Sequence, residues 1–261
     1  MGQPIEALAG TSSPAHLSGL DSDKFGIRVA RTKASCSQLP AVVHWCRKFN
    51  VKLLIARVPL PGVPARNTLI RNGFAQMDTL EYWVCNLRNH RDTIPMHHHD
   101  VKLAHQNDAD SVRSLARIAF HGYRGHYHCD PRLPDRLCDE VYADWAYRFC
   151  LSDSMHNATL VYEIDGKPVG FTMIRRTGNT DAEIVLSGTS PEFRGRGIYR
   201  TLHGQRGLWC IERGIDRLVG SANFCNEAMT HCYQREGFQR LFSINTFHKW
   251  FIKQGSECSF C

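Results

Sequence analysis

Apolar positions from residue 101 onward follow helical and strand periods in turn. Residues 109–120 repeat an apolar face every three or four positions behind Asp108, a residue type that caps helices, and a second helical stripe begins at Pro134. The pair Asp165-Gly166 separates two alternating segments and favours a tight hairpin turn. The pattern therefore predicts strand, two helices, three strands, helix, strand, helix and strand, over residues 101–106, 109–120, 134–149, 159–164, 168–174, 182–188, 198–214, 217–223, 226–237 and 241–251.

The first hundred residues predict a smaller α/β unit. A helix over 39–49 is followed by a strand over 52–58, and a second helix ends at Gly73-Phe74 before a strand over 77–85. The same ending, a helix that stops at Gly237-Phe238 before a strand, occurs near the other end of the chain. We therefore expect the two halves to be remote copies of one arrangement.

Two polar segments predict the domain limits. Residues up to 24 are rich in Ser, Ala and Gly without a period, which predicts a loose or partly ordered leader, and residues 88–100 carry Pro95 and three consecutive histidines, which predicts a linker. The expected organisation is a leader over 1–24, a smaller domain over 25–96 and a larger domain over 97–261.

Composition narrows the class of protein. The chain has 261 residues, 43% of them hydrophobic and 22% charged, and no apolar run is long enough to cross a bilayer, so we expect a globular protein without a membrane partner. The start resembles no signal peptide, and the eleven cysteines are scattered singly, which favours reduced thiols and a cytoplasmic location. A formal charge of +7 suits a phosphate-rich ligand, and no nucleic-acid-binding signature accompanies it.

The segment after the strand over 182–188 has the residues of a phosphate-binding turn. Gly195 and Gly197 allow unusual backbone angles and close approach, and the free N–H groups at the start of the next helix, from Ile198, attract a pyrophosphate. Arg194 and Arg196 add positive charge.

This turn resembles the acyl-CoA-binding motif of the GCN5-related N-acetyltransferase (GNAT) superfamily, Gln/Arg-x-x-Gly-x-Gly/Ala, with Glu192 as a departure from the pattern. A second signature follows in the right order: Asn226 starts a helix, Tyr233 comes two turns later and Gly237-Phe238 closes it. The resemblance implies the α/β (α+β) GNAT fold, a mixed central sheet flanked by helices, here preceded by a smaller degenerate GNAT-like α/β domain. It also implies acetyl-CoA as co-substrate and Asn226 as part of its site.

The resemblance also implies roles for individual residues. Tyr233 would protonate the departing CoA thiolate, because the family uses a tyrosine there and a phenol can supply a proton. Backbone N–H groups around Gly188 and Thr189 would hold the pantetheine arm and the oxyanion. Glu183 lies near the place where several members keep a base, although strand alternation allows it to face solvent.

The loop over 121–132 is the expected acceptor site, because acceptor choice in this fold usually belongs to the loop between the first two helices. It resembles that of dTDP-fucosamine acetyltransferase-type enzymes, as do Phe25-Gly26 and the segment 139–142. This likeness implies the amine of a 4-amino-4,6-dideoxy nucleotide sugar as acceptor. The predicted acceptor-binding residues are Tyr123, Arg124, His126, Tyr127, His128 and Arg132.

The histidines and cysteines of the chain lack a second ligand pair at a recognisable spacing, so no metal is expected at the 126–130 cluster, at His97–His99 or at Cys258 and Cys261. The first half lacks an Arg-Gly-x-Gly turn and is predicted to bind no CoA. A homodimer is compatible with the sequence. Acetylation of a protein, an amino acid or another small amine, a CoA-binding regulatory module without catalysis, and a nucleic-acid binder stay open as alternatives.

Overall fold

The structure is a computed structural model that describes residues 13–59, 62–89, 97–152 and 154–251. These residues form two compact units: the first contains the described residues up to 80, 124–138 and those from 243 onward, and the second contains 81–123 and 139–242. The predicted domain limits at 24–25 and 96–97 stay predictions. Residues 1–12 of the predicted leader, 90–96 of the predicted linker, and Cys258 and Cys261 lie outside the described residues.

The secondary structure follows the chain in this order. The strands are β1 (His16–Leu17), β2 (Val29–Lys33), β3 (Leu53–Val58), β4 (Ala75–Asn86), β5 (Val101–Leu103), β6 (Asn157–Ile164), β7 (Lys167–Arg176), β8 (Asp181–Thr189), β9 (Arg217–Asn223) and β10 (Gln239–Trp250). The helices are α1 (Gly19–Phe25), α2 (Leu39–Lys48), α3 (Val63–Arg71), α4 (Ala109–Ala119), α5 (Asp135–Leu151), α6 (Ile198–Glu212) and α7 (Glu227–Arg235).

The first unit contains a mixed sheet in the order β1-β2-β3-β10-β4. β2 and β3 are parallel, whereas β10 runs antiparallel to β3 and pairs Asn245 with Val58. Its core is made by buried apolar residues of the strands and of α2 and α3, among them Val42, Leu54 and Phe247. β4 and β10 supply residues to both units.

The second unit contains the strands in the order β4-β9-β8-β7-β6-β5. β5 to β8 form an antiparallel meander and β9 joins β8 in parallel. Two neighbouring residues of β7 show that helices cover both faces. A Cβ added at Gly170 would meet Ile198 of α6, while Phe171 pairs with Gly188, against which Ala119 of α4 packs. The fold is thus a mixed sheet flanked by helices, as the sequence predicts.

Local turn chemistry places most elements within a few residues of their predicted limits. The hairpin turn is confirmed, because Asp165 and Gly166 have φ angles of 50° and 72°, the left-handed pair that a type I′ turn requires. Asp108 differs from its predicted role: its carboxylate accepts a hydrogen bond from His105 N (2.8 Å) and so caps a short 3-10 turn ahead of α4. Among the residues described, no helix combines the length and the apolarity that a bilayer crossing needs.

The predicted loose leader is ordered structure from residue 16 onward, where β1 and α1 replace it. Ser18 starts α1 by accepting a hydrogen bond from Asp21 N (3.4 Å), and Phe25 is buried at its end. Asp21 is fully buried and pairs with Arg31 of β2 (Nη2 to Oδ1, 2.9 Å). β1 and α1 were not predicted because a two-residue strand and a seven-residue helix are too short to display a hydrophobic period.

Candidate active site

The second unit opens between two neighbouring strands. β8 and β9 are paired only from Asp181–Arg217 to Glu183–Val219, although β8 continues to Thr189 and β9 to Asn223. The parting coincides with a bulge, because Met173 pairs with Leu186 and Ile174 with Ile184, which leaves Val185 as an extra residue in β8. The second half of β8 therefore turns an unpaired backbone edge toward the opening, where an extended ligand can add its own hydrogen bonds.

The predicted pyrophosphate turn lies at the end of that strand. Gly195 and Gly197 have φ angles of 77° and 80°, which a residue with a Cβ adopts only with strain, and both are exposed. Gly197 immediately precedes the first turn of α6, and Ile198 anchors this turn by burying its side chain against Gly170. The free N–H groups of α6 therefore face solvent beside flexible backbone, which is the geometry of an anion site at a helix start.

The two arginines of this turn have different surroundings. Arg194 donates to Ala119 O at the end of α4 (Nη2, 2.9 Å) and to Thr189 O (Nε, 3.3 Å), so its guanidinium group ties the turn to α4. Arg196 has its guanidinium carbon 5.0 Å from the centre of the Phe193 ring and is exposed. Arg196 is therefore the better placed of the two to meet an incoming phosphate.

Helix α7 begins as the sequence predicts. Asn226 is its N-cap, and the side-chain oxygen accepts a hydrogen bond from Met229 N (3.2 Å). Asn226 thus has a structural role in starting α7, and this helix carries Tyr233 two turns later.

Tyr233 is buried between aromatic rings. Its ring stacks on Trp83 (5.9 Å between centroids) and packs against Phe238 (4.8 Å). The ring also covers Gly220 of β9, where an added Cβ would lie 2.4 Å from Tyr233 Oη. The hydroxyl is directed toward Ser221 O (3.4 Å) and therefore lies beside β9, close to the point where β9 leaves β8.

Burial raises the pKa of Tyr233 well above its ordinary value, so the phenol stays protonated at physiological pH. It can donate a proton but cannot act as a base there. Loss of this proton would leave a buried phenolate, which a nearby positive charge would stabilise. Arg206 is the residue whose charge opposes the rise in this pKa.

Glu183 lies on the part of β8 that is still paired with β9. Its carboxylate forms an ion pair with Arg175 of β7 (Nη2 to Oε1, 2.5 Å; Nε to Oε1, 2.8 Å), and both side chains are partly exposed. The structure therefore gives Glu183 a partner at the edge of the opening, and its role as a base stays a prediction.

The predicted acceptor loop is divided between the units. Tyr123 belongs to the second, where its ring meets Phe120 and Tyr142 edge to face. The other five residues belong to the first unit, in which His126 and Tyr127 are buried whereas Arg124 and Arg132 are exposed.

His126 is the end of a buried hydrogen-bonded chain in the first unit. Asp130 Oδ2 accepts from His248 Nδ1 (2.8 Å) and from Trp250 Nε1 (2.7 Å), and His248 Nε2 lies 3.0 Å from His126 Nδ1. Because a carboxylate only accepts, His248 donates from Nδ1, and in its neutral form its Nε2 accepts from His126. Burial, followed by neighbouring charges such as that of Arg31, lowers the pKa of His126 well below its ordinary value.

Tyr127 continues the same polar cluster. Its hydroxyl donates to Asp21 Oδ1 (2.8 Å) and accepts from Arg31. Arg132 lies over the Trp250 ring (5.7 Å), and its backbone N–H donates to Asp130 (3.1 Å). Tyr123 and His128 are only partly buried, so the predicted acceptor residues that keep exposed surface are Tyr123, Arg124, His128 and Arg132.

Three residues that act on Tyr233 were not predicted from the sequence: Trp83, Gly220 and Arg206. Trp83 and Gly220 gave no signal, because their roles depend on contacts across the sheet. Arg206 did give one, since it occupies the apolar stripe of α6 with Leu202 and Cys210 at a spacing of four.

Three potential metal ligands lie together at the start of β5. His98, His99 and Asp100 bring ligand atoms within 4.8 Å of one another, and Tyr162 Oη donates to Asp100 (3.1 Å). His98 and Asp100 are about one-third exposed and His99 is 87% exposed, so this surface turn is open to solvent.

The family profile described as Acetyltransferase (GNAT) family matches residues 120–238. This stretch contains the glycine turn before α6, the opening between β8 and β9, and Tyr233. A search of the curated proteins finds no match.

Solved structures share the fold. A functionally unknown conserved protein from Staphylococcus epidermidis is similar over 94% of both chains, with 16% identity and a TM-score of 0.63. A GCN5-related N-acetyltransferase from Kribbella flavida covers 92% of this chain and 88% of its own, with 13% identity and a TM-score of 0.58. A tandem GNAT protein from the clavulanic acid biosynthesis pathway covers 82% and 69%, with 15% identity and a TM-score of 0.52.

The profile match and the geometry of the second unit agree. The opened strand pair, the glycine turn before α6 and the buried tyrosine all lie within the matched residues. Residues 120–238 are therefore similar to the Acetyltransferase (GNAT) family in sequence, and the fold around them is similar to that of solved GNAT proteins.

Proposed function

We propose that this protein transfers an acetyl group from acetyl-CoA to the amine of a nucleotide-linked amino sugar of the dTDP-4-amino-4,6-dideoxyhexose type. The observation that carries the CoA part is the opening after Glu183–Val219, which ends at the glycine turn before α6. An extended pantetheine arm has amides that can pair with the free edge of β8 around Gly188 and Thr189. Its pyrophosphate then meets the N–H groups from Gly195 to Ile198, with Arg196 supplying charge.

The chemistry is direct attack by a neutral amine on the thioester carbonyl. Backbone N–H groups near Gly188 stabilise the oxyanion, and collapse of the tetrahedral species breaks the C–S bond. Tyr233 then donates its proton to the thiolate sulfur. The position of its hydroxyl beside Ser221, on the side of β9 that has left β8, supports this role.

The amine proton needs a route out of the site. Glu183 is our candidate base, acting directly or through water, because it sits where the paired part of β8 ends. Its ion pair with Arg175 would have to loosen for this, and both side chains have solvent access that permits such movement.

The acceptor class rests on the loop over 121–132. Arg124 and Arg132 are exposed residues, and guanidinium groups suit the pyrophosphate of a nucleotide sugar. We assign His126 and Tyr127 to holding the loop, since both are buried in hydrogen bonds. The first unit itself binds no CoA in this proposal, and a second equivalent of CoA in calorimetry would contradict that.

The test is thiol release from acetyl-CoA by the wild type and by Tyr233→Phe. The amines offered are dTDP-4-amino-4,6-dideoxy sugars, with polyamines and peptides as alternatives. Sugar-dependent release that falls about a hundredfold or more in Tyr233→Phe supports the acceptor and the acid. Release with peptides or polyamines but not with sugars would refute the acceptor class. CoA binding without release on any amine would favour a regulatory module.

A further inference from the structure

Arg206 carries a positive charge into the interior of the second unit. It is fully buried on α6, among apolar residues such as Leu202 and Cys210. Burying a guanidinium group is costly unless a carboxylate compensates for it. Among the described residues Arg206 forms no ion pair with a carboxylate, and its Nε has no hydrogen-bond partner.

The partners of Arg206 are neutral. Nη2 donates to Tyr199 Oη (3.1 Å) and to His203 Nδ1 (2.8 Å), and Nη1 donates to Thr172 Oγ1 (3.4 Å). The nearest acidic group on this path is Glu236, whose Oε2 lies 3.7 Å from His203 Nε2, one imidazole ring away from the guanidinium group. The hydrogen bonds therefore fix the position of the charge without neutralising it.

This network extends toward the opening between β8 and β9. Thr172 shares a hydrogen bond with Ser187 (2.7 Å), which lies on the part of β8 that has separated from β9. Tyr199 belongs to the first turn of α6, directly after the glycine turn. The charge of Arg206 lowers the pKa of Tyr233, whereas the hydroxyl of Tyr199 raises it.

We propose that Arg206 is a positioning residue for acyl transfer: its buried charge stabilises the negative charge that passes from the CoA sulfur to Tyr233, and its hydrogen bonds hold Tyr199 beside that path. This inference rests on the proposed function, because it needs Tyr233 as the acid. In the step concerned, the Tyr233 O–H bond breaks and an S–H bond forms on the CoA sulfur. Tyr233 becomes a phenolate, Arg206 keeps its proton, and the phenolate later regains a proton from water.

This role accounts for a buried charge that forms no ion pair with a carboxylate among the described residues. A buried cation without a carboxylate is tolerated where an anion forms during turnover, because Coulomb attraction is strong in a low-dielectric interior. A purely structural arginine would instead be expected to lower stability when replaced, with no special link to Tyr233. The two interpretations therefore differ in what happens when Arg206 and Tyr233 are changed together.

The experiment measures kcat for thiol release, the Kd of acetyl-CoA by calorimetry and the Tm of each variant. The variants are Arg206→Met, Arg206→Lys, Tyr233→Phe and Arg206→Met/Tyr233→Phe. The matched control is Arg113→Lys, an arginine of the same unit that is paired with Asp144 (2.6 Å). We expect Arg206→Met to lower kcat tenfold or more, within the range of general-acid effects, while the Kd changes less than about twofold and Tm is unchanged or higher.

Arg206→Lys should recover most of the activity because it keeps the charge, and Arg113→Lys should match the wild type. In the Tyr233→Phe background, Arg206→Met should lower kcat less than about twofold further, because the two residues act on one step. If Arg206→Met lowers kcat equally in both backgrounds, or leaves kcat unchanged, the role of Arg206 is overturned and the proposed function is not. Absence of thiol release by the wild type with every amine overturns the proposed function first, and this inference with it.

Discussion

Replacing Gly220 by alanine tests whether the position of Tyr233 matters for catalysis. Gly220 lies in β9 under the Tyr233 ring, and an added Cβ would lie 2.4 Å from Oη, 2.7 Å from Cζ and 3.0 Å from Cε1. Real contacts of this kind need about 3.4 Å or more, so the phenol end has to move by about 1 Å. The ring cannot move freely, because Trp83 and Phe238 pack against it.

Two magnitudes follow from this clash. Overpacking a buried site costs about 1–3 kcal/mol in the free energy of unfolding. A displacement of about 1 Å at a reacting group lowers the rate by up to about a hundredfold. We therefore expect Gly220→Ala to lose about 1–3 kcal/mol of stability and to lower kcat for thiol release by tenfold to about a hundredfold, with a smaller effect on the Kd of acetyl-CoA.

Urea unfolding gives the first quantity and thiol release at saturating acetyl-CoA gives the second. The control is Gly178→Ala, because the atom nearest to a Cβ added there is Asp181 Oδ2, at 3.4 Å. If Gly220→Ala unfolds at the same urea concentration as the wild type and keeps its kcat, then Tyr233 accommodates the added Cβ without cost and the expected clash does not occur. Lost stability with full kcat would show instead that the exact place of the Tyr233 hydroxyl is unimportant.

Three further predictions concern other parts of the molecule. His126 has a lowered pKa in the folded state, so its contribution to stability is complete above about pH 6.5 and is lost as the pH falls below that value, by up to about 1.4 kcal/mol per pH unit. Urea unfolding from pH 7.5 to 5.0 should therefore show a shallower decline in the free energy of unfolding for His126→Gln than for the wild type or His156→Gln. Glu183→Gln should lower kcat a hundredfold or more if the carboxylate is the base, but should cost under about 1 kcal/mol in unfolding, because its ion pair is exposed; unchanged kcat rejects the base. Gly197→Ala should weaken acetyl-CoA binding about tenfold by calorimetry, since a left-handed φ of 80° strains any Cβ, and unaltered affinity would argue against the glycine turn as the pyrophosphate site.

Local chemistry made much of the second unit predictable. The hairpin turn, the glycine turn before α6 and the N-cap of α7 each depend on a few neighbouring residues, so their positions could be derived from the sequence. The order of these elements then indicated the fold. The short β1 and α1 were missed for the converse reason, because they are held by long-range contacts such as Asp21 with Arg31.

The site was less predictable where partners are distant along the chain. His126 and Tyr127 read as polar residues of a surface loop, but His248 and Asp21, both more than a hundred positions away, bury them in hydrogen bonds. The separation of β8 from β9 was not predicted either, because it depends on how the two backbones pair and not on the side chains of either strand alone. Arg206 visibly interrupts the apolar stripe of α6, but its role could not be predicted because it depends on which side chains surround it.

The pairing of β3 with β10 determines how long β3 lacks a neighbouring strand during synthesis. Val58 meets Asn245, about 190 residues later in the chain. At about 5–20 residues per second, a ribosome needs about 10–40 s to make the intervening chain. Throughout that interval the edge of β3 that belongs to β10 is open, and an open apolar edge pairs readily with other strands. The nascent chain should therefore depend on chaperones that bind extended segments, and this dependence should end when residues 245–250 emerge.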